Sequence, residues 1–522
     1  MPSPEIKILT QLGYGYNPES YALLKKVGIK KYLQEQLNPN PKDDAAYQQA
    51  VDKAVLMIEY NKKKQKTKEE RPLSLLRLSA DAVWQHGQEK GHYAENMRAA
   101  QEVFIDKTLR ARYSRWQLQE LLADFWHNHF NVNVQQDERI ALTFVSYDRD
   151  TIRGNMWGSF RQLLEFVAKS PAMLVYLNND SSKASPANEN YARELFELHT
   201  LGAEAYKNDL YDQWKDVPKD SNGQPLYYID EDVYEAARAF TGWTISDGND
   251  DEKGGKFENT GRFHYAEHWH DHYQKRVMGK EFAHHQPALK DGLDVLDIVA
   301  AHPATARHIC KKLIQKLVSD TPPASLLEKA IKIWVENANR PNQIREVVAT
   351  IIFSDEYEKT NSEKVKTPFE LLISAWRGTN AKVSPNMNLY WILQNMGQLV
   401  FGFPLPTGTP DRGDYWLNTN AMLMRWNALA VLFTEDWHKL ASLDTAIFIA
   451  KAQETAKGYS IRLFENVCGY SPEDKTLQLL ANYLAQGGSI EEELYFENDR
   501  DRNWLIANGL ALLFQLPFFQ YR

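Results

Sequence analysis

Four short stretches carry side chains that do chemistry in enzymes, and each has more than one reading. In LLADFWHNHFNVNV, residues 121–134, two histidines stand two positions apart. On a regular helix His129 joins the apolar stripe of Leu118, Leu121, Leu122 and Phe125, while His127 points about 160° away, beside Glu120. In extended chain side chains alternate, so both imidazoles share one face and form the His-x-His clamp that holds a metal ion. His127, His129, Asn131 and Asn133 alternate with Asn128, Phe130, Val132 and Val134, which predicts a helix ending near Trp126 and passing into extended chain. The plain alternative is one core histidine and one surface histidine.

In SPANENYARELFELHTLG, residues 185–202, Pro186 and Asn188 read as a helix start and Gly202 as its end. Glu194 and Glu197 fall on one face, one turn apart, with Arg193 at its edge. Helical metal enzymes present carboxylate ligands in this way. The alternative is surface ion pairing, Glu189 with Arg193 and Arg193 with Glu197 at i, i+4. His199 reaches the same face only if the last turn unwinds. In YYIDEDVYEAARAFTGW, residues 227–243, Asp232 and Glu235 make a helix-capping signature above a buried stripe of Val233, Ala236, Ala237 and Phe240. Asp232 is also a candidate acid–base carboxylate, and Arg238 is either an ion-pair partner or an anion contact. In RFHYAEHWHDHYQKRVMG, residues 262–279, His264, His268, His270 and His272 share one parity and Asp271 takes the other. Neutral imidazole is the commonest metal ligand, so this density predicts metal binding, catalytic or adventitious.

The elements that must position these groups read as helices. Apolar residues recur at helical spacing over 20–37, 99–126, 159–169, 187–201, 231–241, 292–300, 304–318, 325–337 and 343–353. The same spacing continues over 368–376, 419–434, 443–455, 474–486 and 502–514. Ser114 with Gln117 predicts a capping box at one start. NKKKQKTKEER, 61–71, reads as a solvated helix face or loop. Residues 207–229 and 246–261 are polar, Gly-rich insertions, and 401–416 is a loop by its Pro and Gly content. The expected fold is mainly α, a large bundle-like helical body with a few short strands and long polar loops. One unit over 1–522 is expected. SDTPPA near 320–325 is the candidate division into a motif-bearing half, 1–320, and a C-terminal helical half, 325–522.

Composition narrows the classes. The 522 residues, 43% hydrophobic and 25% charged, fit an ordinary globular chain and exclude a disordered or collagen-like one. A net charge of −8 argues against general nucleic-acid binding. Two distant cysteines, Cys310 and Cys468, exclude a zinc finger or disulfide framework. No run approaches the roughly 20 apolar residues of a membrane helix, and the N-terminus lacks a secretory pattern, so a cytoplasmic location is expected. P-loop, Gly-x-Gly-x-x-Gly, Gly-x-Ser-x-Gly and His-Glu-x-x-His motifs are all missing, so no nucleotide cofactor is expected.

FWHNHFNV, NENYARELFELHTLG, EDVYEAARAFTGW and the later HD…K…MG, in that order, resemble the bacterial "domain of unknown function 1800" family. GQLVFGFPLPTGTPDRGDYWLNTNAMLMRWN, residues 397–427, is similar to that family's C-terminal block, and LTQLGYGYNPES…IKKYLQEQLNP to its opening. The resemblance covers roughly residues 8–515. It implies which blocks belong together, and it brings no reaction with it.

The expected function is a metal-dependent enzyme acting on an unspecified small-molecule or peptide substrate. His127, His129, Glu194, His270 and Asp271 are the expected metal ligands. Glu194, Glu197, Arg193, Asp232 and Arg238 are the expected catalytic groups. Mixed His and carboxylate donors suit iron, manganese or zinc. Analogy with other helical metal enzymes favours oxygen-activating oxidoreductase chemistry over metal-assisted hydrolysis. A non-catalytic binding or assembly protein is the alternative from another class. A metal-free acid–base hydrolase is a third reading, and it requires a carboxylate with a raised pKa in a cleft.

Overall fold

The computed structural model describes residues 2–62, 65–338, 340–360, 364–432, 440–449, 453–496 and 498–522. The described chain is mainly α-helical, and its strands form only two-stranded antiparallel sheets. No helix among the described residues is long and apolar enough to cross a membrane. The helices expected over 159–169, 231–241, 292–300, 304–318, 325–337 and 343–353 are present as Phe160–Ala168, Asp230–Ala239, Lys290–Ala301, Pro303–Leu317, Ala324–Glu336 and Gln343–Ile352.

Several expected elements differ, each for a local reason. The 20–37 stretch breaks at Gly28, whose φ of 81° ends one helix at Val27 and starts another at Ile29. The 99–126 stretch is two helices, Tyr93–Tyr113 and Gln117–His129. The Ser114/Gln117 capping box does not form. The Ser114 hydroxyl donates to Asp44 and accepts from the Trp116 N–H, while the Gln117 amide donates to the carbonyls of Ala111 and Ser114. The lysine-rich run at 61–71 lies in a hairpin, Val55–Lys62 against Gln65–Pro72, with residues 63 and 64 outside the described residues. Leu56 and Ile58 bury one face of that hairpin, and Glu59 pairs with Lys66 at 2.6 Å across it. Residues 443–455 do not form one helix. A short turn covers Thr445–Phe448, 450–452 lie outside the described residues, and the helix begins at Ala456, capped by Thr455. The helix expected over 419–434 runs Thr419–Val431, and 433 and 434 lie outside the described residues.

The apolar interior forms two clusters. The first gathers residues from Ile8 to Tyr357. The second joins side chains between Phe369 and Phe519 to Tyr14, Tyr47, Leu56, Phe104, Ile105 and Leu109. Within the first lies the helix Gln117–His129, whose Leu118, Leu121, Leu122, Phe125 and Trp126 are all buried. Its polar side chains Glu120, His127 and His129 are buried as well. A helix enclosed on every side must find partners for such groups inside the protein. The functional geometry follows from that requirement.

The helix does not unwind after Trp126. The Phe130 N–H donates to the Trp126 carbonyl at 2.9 Å, and the helix runs through His129. The expected shared face of His127 and His129 is therefore absent, and the two rings leave the helix in different directions. Burial of Phe130, Val132 and Val134 sets the alternation that follows.

Candidate functional site

His127 points toward a segment of π-helix, Tyr147–Arg153, which continues the helix Glu138–Ser146. Wide π turns are often found at functional sites, because they aim side chains that an α-turn would not. Here they deliver Asp148 and Arg153. His127 Nε2 lies 2.8 Å from Asp148 Oδ1. Arg153 grips both Asp148 oxygens from Nε, at 3.0 Å each, and reaches Glu120 at 3.0 and 2.9 Å with its other two nitrogens. Burial alone would raise the Asp148 carboxyl, but Arg153 and His127 outweigh it and hold the group well below the usual range. Burial lowers the His127 pKa against the pull of Asp148. At neutral pH the imidazole is therefore neutral. Asp148 is an obligate acceptor, which assigns the ring proton to Nε2 and leaves Nδ1 bare.

His127 lines a cavity of about 60 Å³ together with Asp124, Asn131, Lys316, Thr367 and Asp411. Asp124 is bonded by Lys107 and by Lys316, the latter at 3.0 Å, and Lys316 also meets Glu370 at 3.1 Å. Lys364 pairs with Asp411 at 3.0 Å. The far wall is the 397–427 block, held by the central helix itself. Asn128 accepts from the Thr409 N–H and donates to the Thr409 carbonyl, both at 2.8 Å. Asn131 donates to the carbonyls of Phe403 and Leu405 at 3.0 and 2.9 Å. Gly408 has a φ of 70°, and a Cβ there would stand 2.2 Å from the Asn128 carbonyl oxygen. Only glycine lets the loop approach this closely.

His129 enters a different environment. Its Nδ1 lies 2.9 Å from the Lys312 ammonium and its Nε2 3.1 Å from the His199 carbonyl. Lysine only donates and a carbonyl only accepts, so both nitrogens are committed and neither is free for a metal ion. The rings of His199 and His308 lie 6.2 and 6.1 Å from that of His129. His308 Nε2 donates to the Leu198 carbonyl at 3.1 Å. His199 is fully buried and neither of its nitrogens has a partner among the described residues. Burial, reinforced by Lys312, lowers His199 to about 3 and His308 to about 4. Burial lowers the amine of Lys312 to about 8. A second π-helical segment, Leu195–His199, carries His199 here.

Just before that segment, Glu194 and Glu197 are half-buried and make no hydrogen bond or ion pair among the described residues. Burial first, then Glu197, raises Glu194 to about 7, against the pull of Arg193. The buried Tyr228 hydroxyl has no partner among the described residues and lies in the field of both carboxylates. Arg193 itself is held by Glu189 at 3.2 Å and Asp230 at 3.1 Å.

The remaining expected site residues have structural partners. Asp232 accepts from the N–H groups of Ile229 and Met278, at 3.1 and 2.7 Å, and so pins its helix start to a hairpin. Burial raises its pKa to about 6. Arg238 spends all its donors on Asp271, Glu235 and the Gln274 carbonyl, which leaves none for an anionic substrate. Asp271 is thereby occupied. His270 bonds Thr241 at 2.9 Å and Asp291 at 3.3 Å, and Asp291 also holds Lys275 at 2.7 Å. The other histidines do not form one parity, because the strand ends at Tyr265 and a 3-10 turn occupies Glu267–Trp269. Among the described residues no group of three or more His, Cys, Asp or Glu side chains is placed to share a metal ion. The expected ligand set is thus dispersed over separate polar knots.

Sequence spacing pointed to His127 but missed Asp148, Arg153, Lys316 and Lys312. Asp148 and Arg153 stand in YDRDTIR, which has the texture of a solvated helix end. In the π turns Tyr147, Asp148, Thr151 and Ile152 are buried while Asp150 stays exposed.

The sequence model of the family described as "Protein of unknown function (DUF1800)" matches residues 7–521. No curated protein and no solved structure matches the chain. The chain belongs to the DUF1800 family.

Proposed function

For this member of the family, we propose an enzyme in which His127 is the acid–base group and Asp148 orients it. One observation supports the reading most: the Asp148-held imidazole presents a bare Nδ1 on a residue that lines a polar cavity. A neutral imidazole in this state takes a proton from water or a substrate hydroxyl at Nδ1, and Asp148 stabilises the imidazolium that forms. The proton then returns to a leaving group. The cavity of about 60 Å³ has room for a water or a substrate's reacting group, so the reaction class this fits is hydrolysis of a bond presented at its mouth. The test is turnover across a panel of esters, amides, glycosides and phosphoesters, with folding checked by circular dichroism. His127→Ala should lower any turnover about 10²–10⁴-fold. Full turnover in that variant would overturn the proposal.

A second reading keeps a metal-dependent, oxygen-activating centre. Its support is the pair of unpaired carboxylates, Glu194 and Glu197, which a divalent cation would neutralise. Iron or manganese bound by these oxygens would supply Lewis-acid or redox chemistry. Elemental analysis of protein purified without a His tag tests it. Near-stoichiometric metal that disappears in Glu194→Gln/Glu197→Gln would favour this reading. Metal content unchanged by the substitutions would count against it.

A further inference from the structure

A larger cavity, about 760 Å³, lies apart from the His127 site and within the roughly 300–1,000 Å³ range of small-molecule sites. Ile6, Ile8, Leu33, Val467, Phe464 and Phe518 give it an apolar wall. Two lysines also line it, Lys366 and Lys7. Lys366 is buried, at 4% exposure. Its ammonium donates to the Phe519 carbonyl at 2.9 Å and stands 3.9 Å from the centre of the Phe519 ring. Among the described residues no carboxylate forms an ion pair with it. Glu370, which feels its charge, is already bonded by Lys316 at 3.1 Å and faces Arg522 at 3.6 Å. Lys7 donates to the carbonyls of Tyr357 at 2.8 Å and Glu358 at 2.7 Å and forms no ion pair among the described residues. The buried Tyr357 hydroxyl, on a third lining residue, has no hydrogen-bond partner among the described residues. The carboxylates that reach the cavity, Glu358 and Glu473, belong to exposed residues.

An apolar chamber with an uncompensated ammonium is complementary to a molecule with a long apolar body and one anionic head. We infer that this cavity binds an aliphatic carboxylate, with Lys366 meeting the carboxylate and the chain lying against the Ile6–Phe464–Phe518 wall. Burial lowers Lys366 to about 7, so the amine carries its charge only in part without an anion beside it. The Cys468 thiol lines the same cavity, and burial pushes its pKa up, which leaves it a neutral part of the wall.

Isothermal titration of the full-length protein with dodecanoate, below its micelle concentration, tests the inference. Dodecanol and acetate are the controls. The expected result is saturable 1:1 binding of dodecanoate, at least tenfold weaker binding of dodecanol, and no binding of acetate. Lys366→Met should bring dodecanoate down to the affinity of dodecanol. Cys468→Phe fills the chamber without removing the ammonium, and should weaken both long ligands even if Lys366→Met fails to fold. No saturable dodecanoate binding to the folded wild type would overturn the inference. So would dodecanol binding as tightly as dodecanoate, or dodecanoate affinity unchanged in a folded Lys366→Met variant.

Discussion

The two sides of the helix Gln117–His129 solve the same problem in opposite ways. Each receives a buried imidazole, and each faces a π-helical segment. On the His127 side every buried charge has an opposite charge, through Asp148, Arg153 and Glu120. On the His129 side three imidazoles and Lys312 gather without a carboxylate bonded to any of them among the described residues, and neither ring nitrogen of His199 has a partner there. The saturated side commits Nε2 of His127 to Asp148 on a residue that lines a cavity. On the unsaturated side burial keeps the imidazoles neutral beside the Lys312 ammonium. Bonding, more than histidine spacing, separates the carboxylate-held imidazole from the packed rings.

The largest expected effect breaks the saturated side. Arg153→Met leaves Asp148 and Glu120 as buried, uncompensated charges, at a cost of about 3–5 kcal/mol. Urea unfolding measures it. His199→Leu, on the other side, removes polar atoms that have nothing to lose and should shift stability by less than about 1 kcal/mol. A loss of more than about 2 kcal/mol for His199→Leu would erase the contrast between the sides.

Next in size is the clamp on the 397–427 block. Asn128→Ala deletes both bonds to Thr409 in a partly buried setting, and should cost about 1–3 kcal/mol. Gly408→Ala should destabilise through the same contact, since its Cβ cannot fit beside the Asn128 carbonyl. Thermal unfolding of the two variants and their double mutant should show strongly non-additive losses.

Acid titration separates the sides by pH window. His199 and His308 have lowered folded pKa values, so they favour folding above the unfolded value near ~6.5 and lose that contribution as pH falls. The unfolded chain binds protons there that the folded chain refuses, worth at most about 1.4 kcal/mol per pH unit for each ring. His199→Leu should flatten unfolding free energy between about pH 6.5 and 4. Asp148, also lowered in the fold, acts in a lower window, with its contribution lost only as pH falls below about 4. An unchanged slope above pH 4 in His199→Leu would show that its ring titrates freely. The smallest effect belongs to Glu194. Its folded pKa is raised, so it weakens the fold as pH rises from about 4.3 toward 7, and Glu194→Gln should remove that slope from a plot of Tm against pH.

Much of the fold was legible because helix periodicity and caps are local. Phe160–Ala168, Pro303–Leu317 and Ala324–Glu336 stand close to where apolar spacing put them. The block resemblance also grouped 121–134 with 397–427, and Asn128 and Asn131 join those segments across more than 270 residues of chain. The hairpin at 55–72 was not legible, since its lysines and glutamates mask a period of two carried by Leu56 and Ile58. The site was legible only in part. His127 and His129 stood out by type, but their partners come from Tyr147–Arg153, Leu195–His199 and Pro303–Leu317, and π turns have no sequence period to read.

The most direct measurement is the tautomer of His127, by long-range proton–nitrogen correlation on ¹⁵N-histidine protein, with His127→Ala supplying the assignment. At pH 7 the expected spectrum shows a neutral ring protonated at Nε2, with the shift of a bare nitrogen at Nδ1, and Asp148→Asn should change it. A proton on Nδ1, or an imidazolium at pH 7, would contradict a base held by Asp148 and open to the cavity.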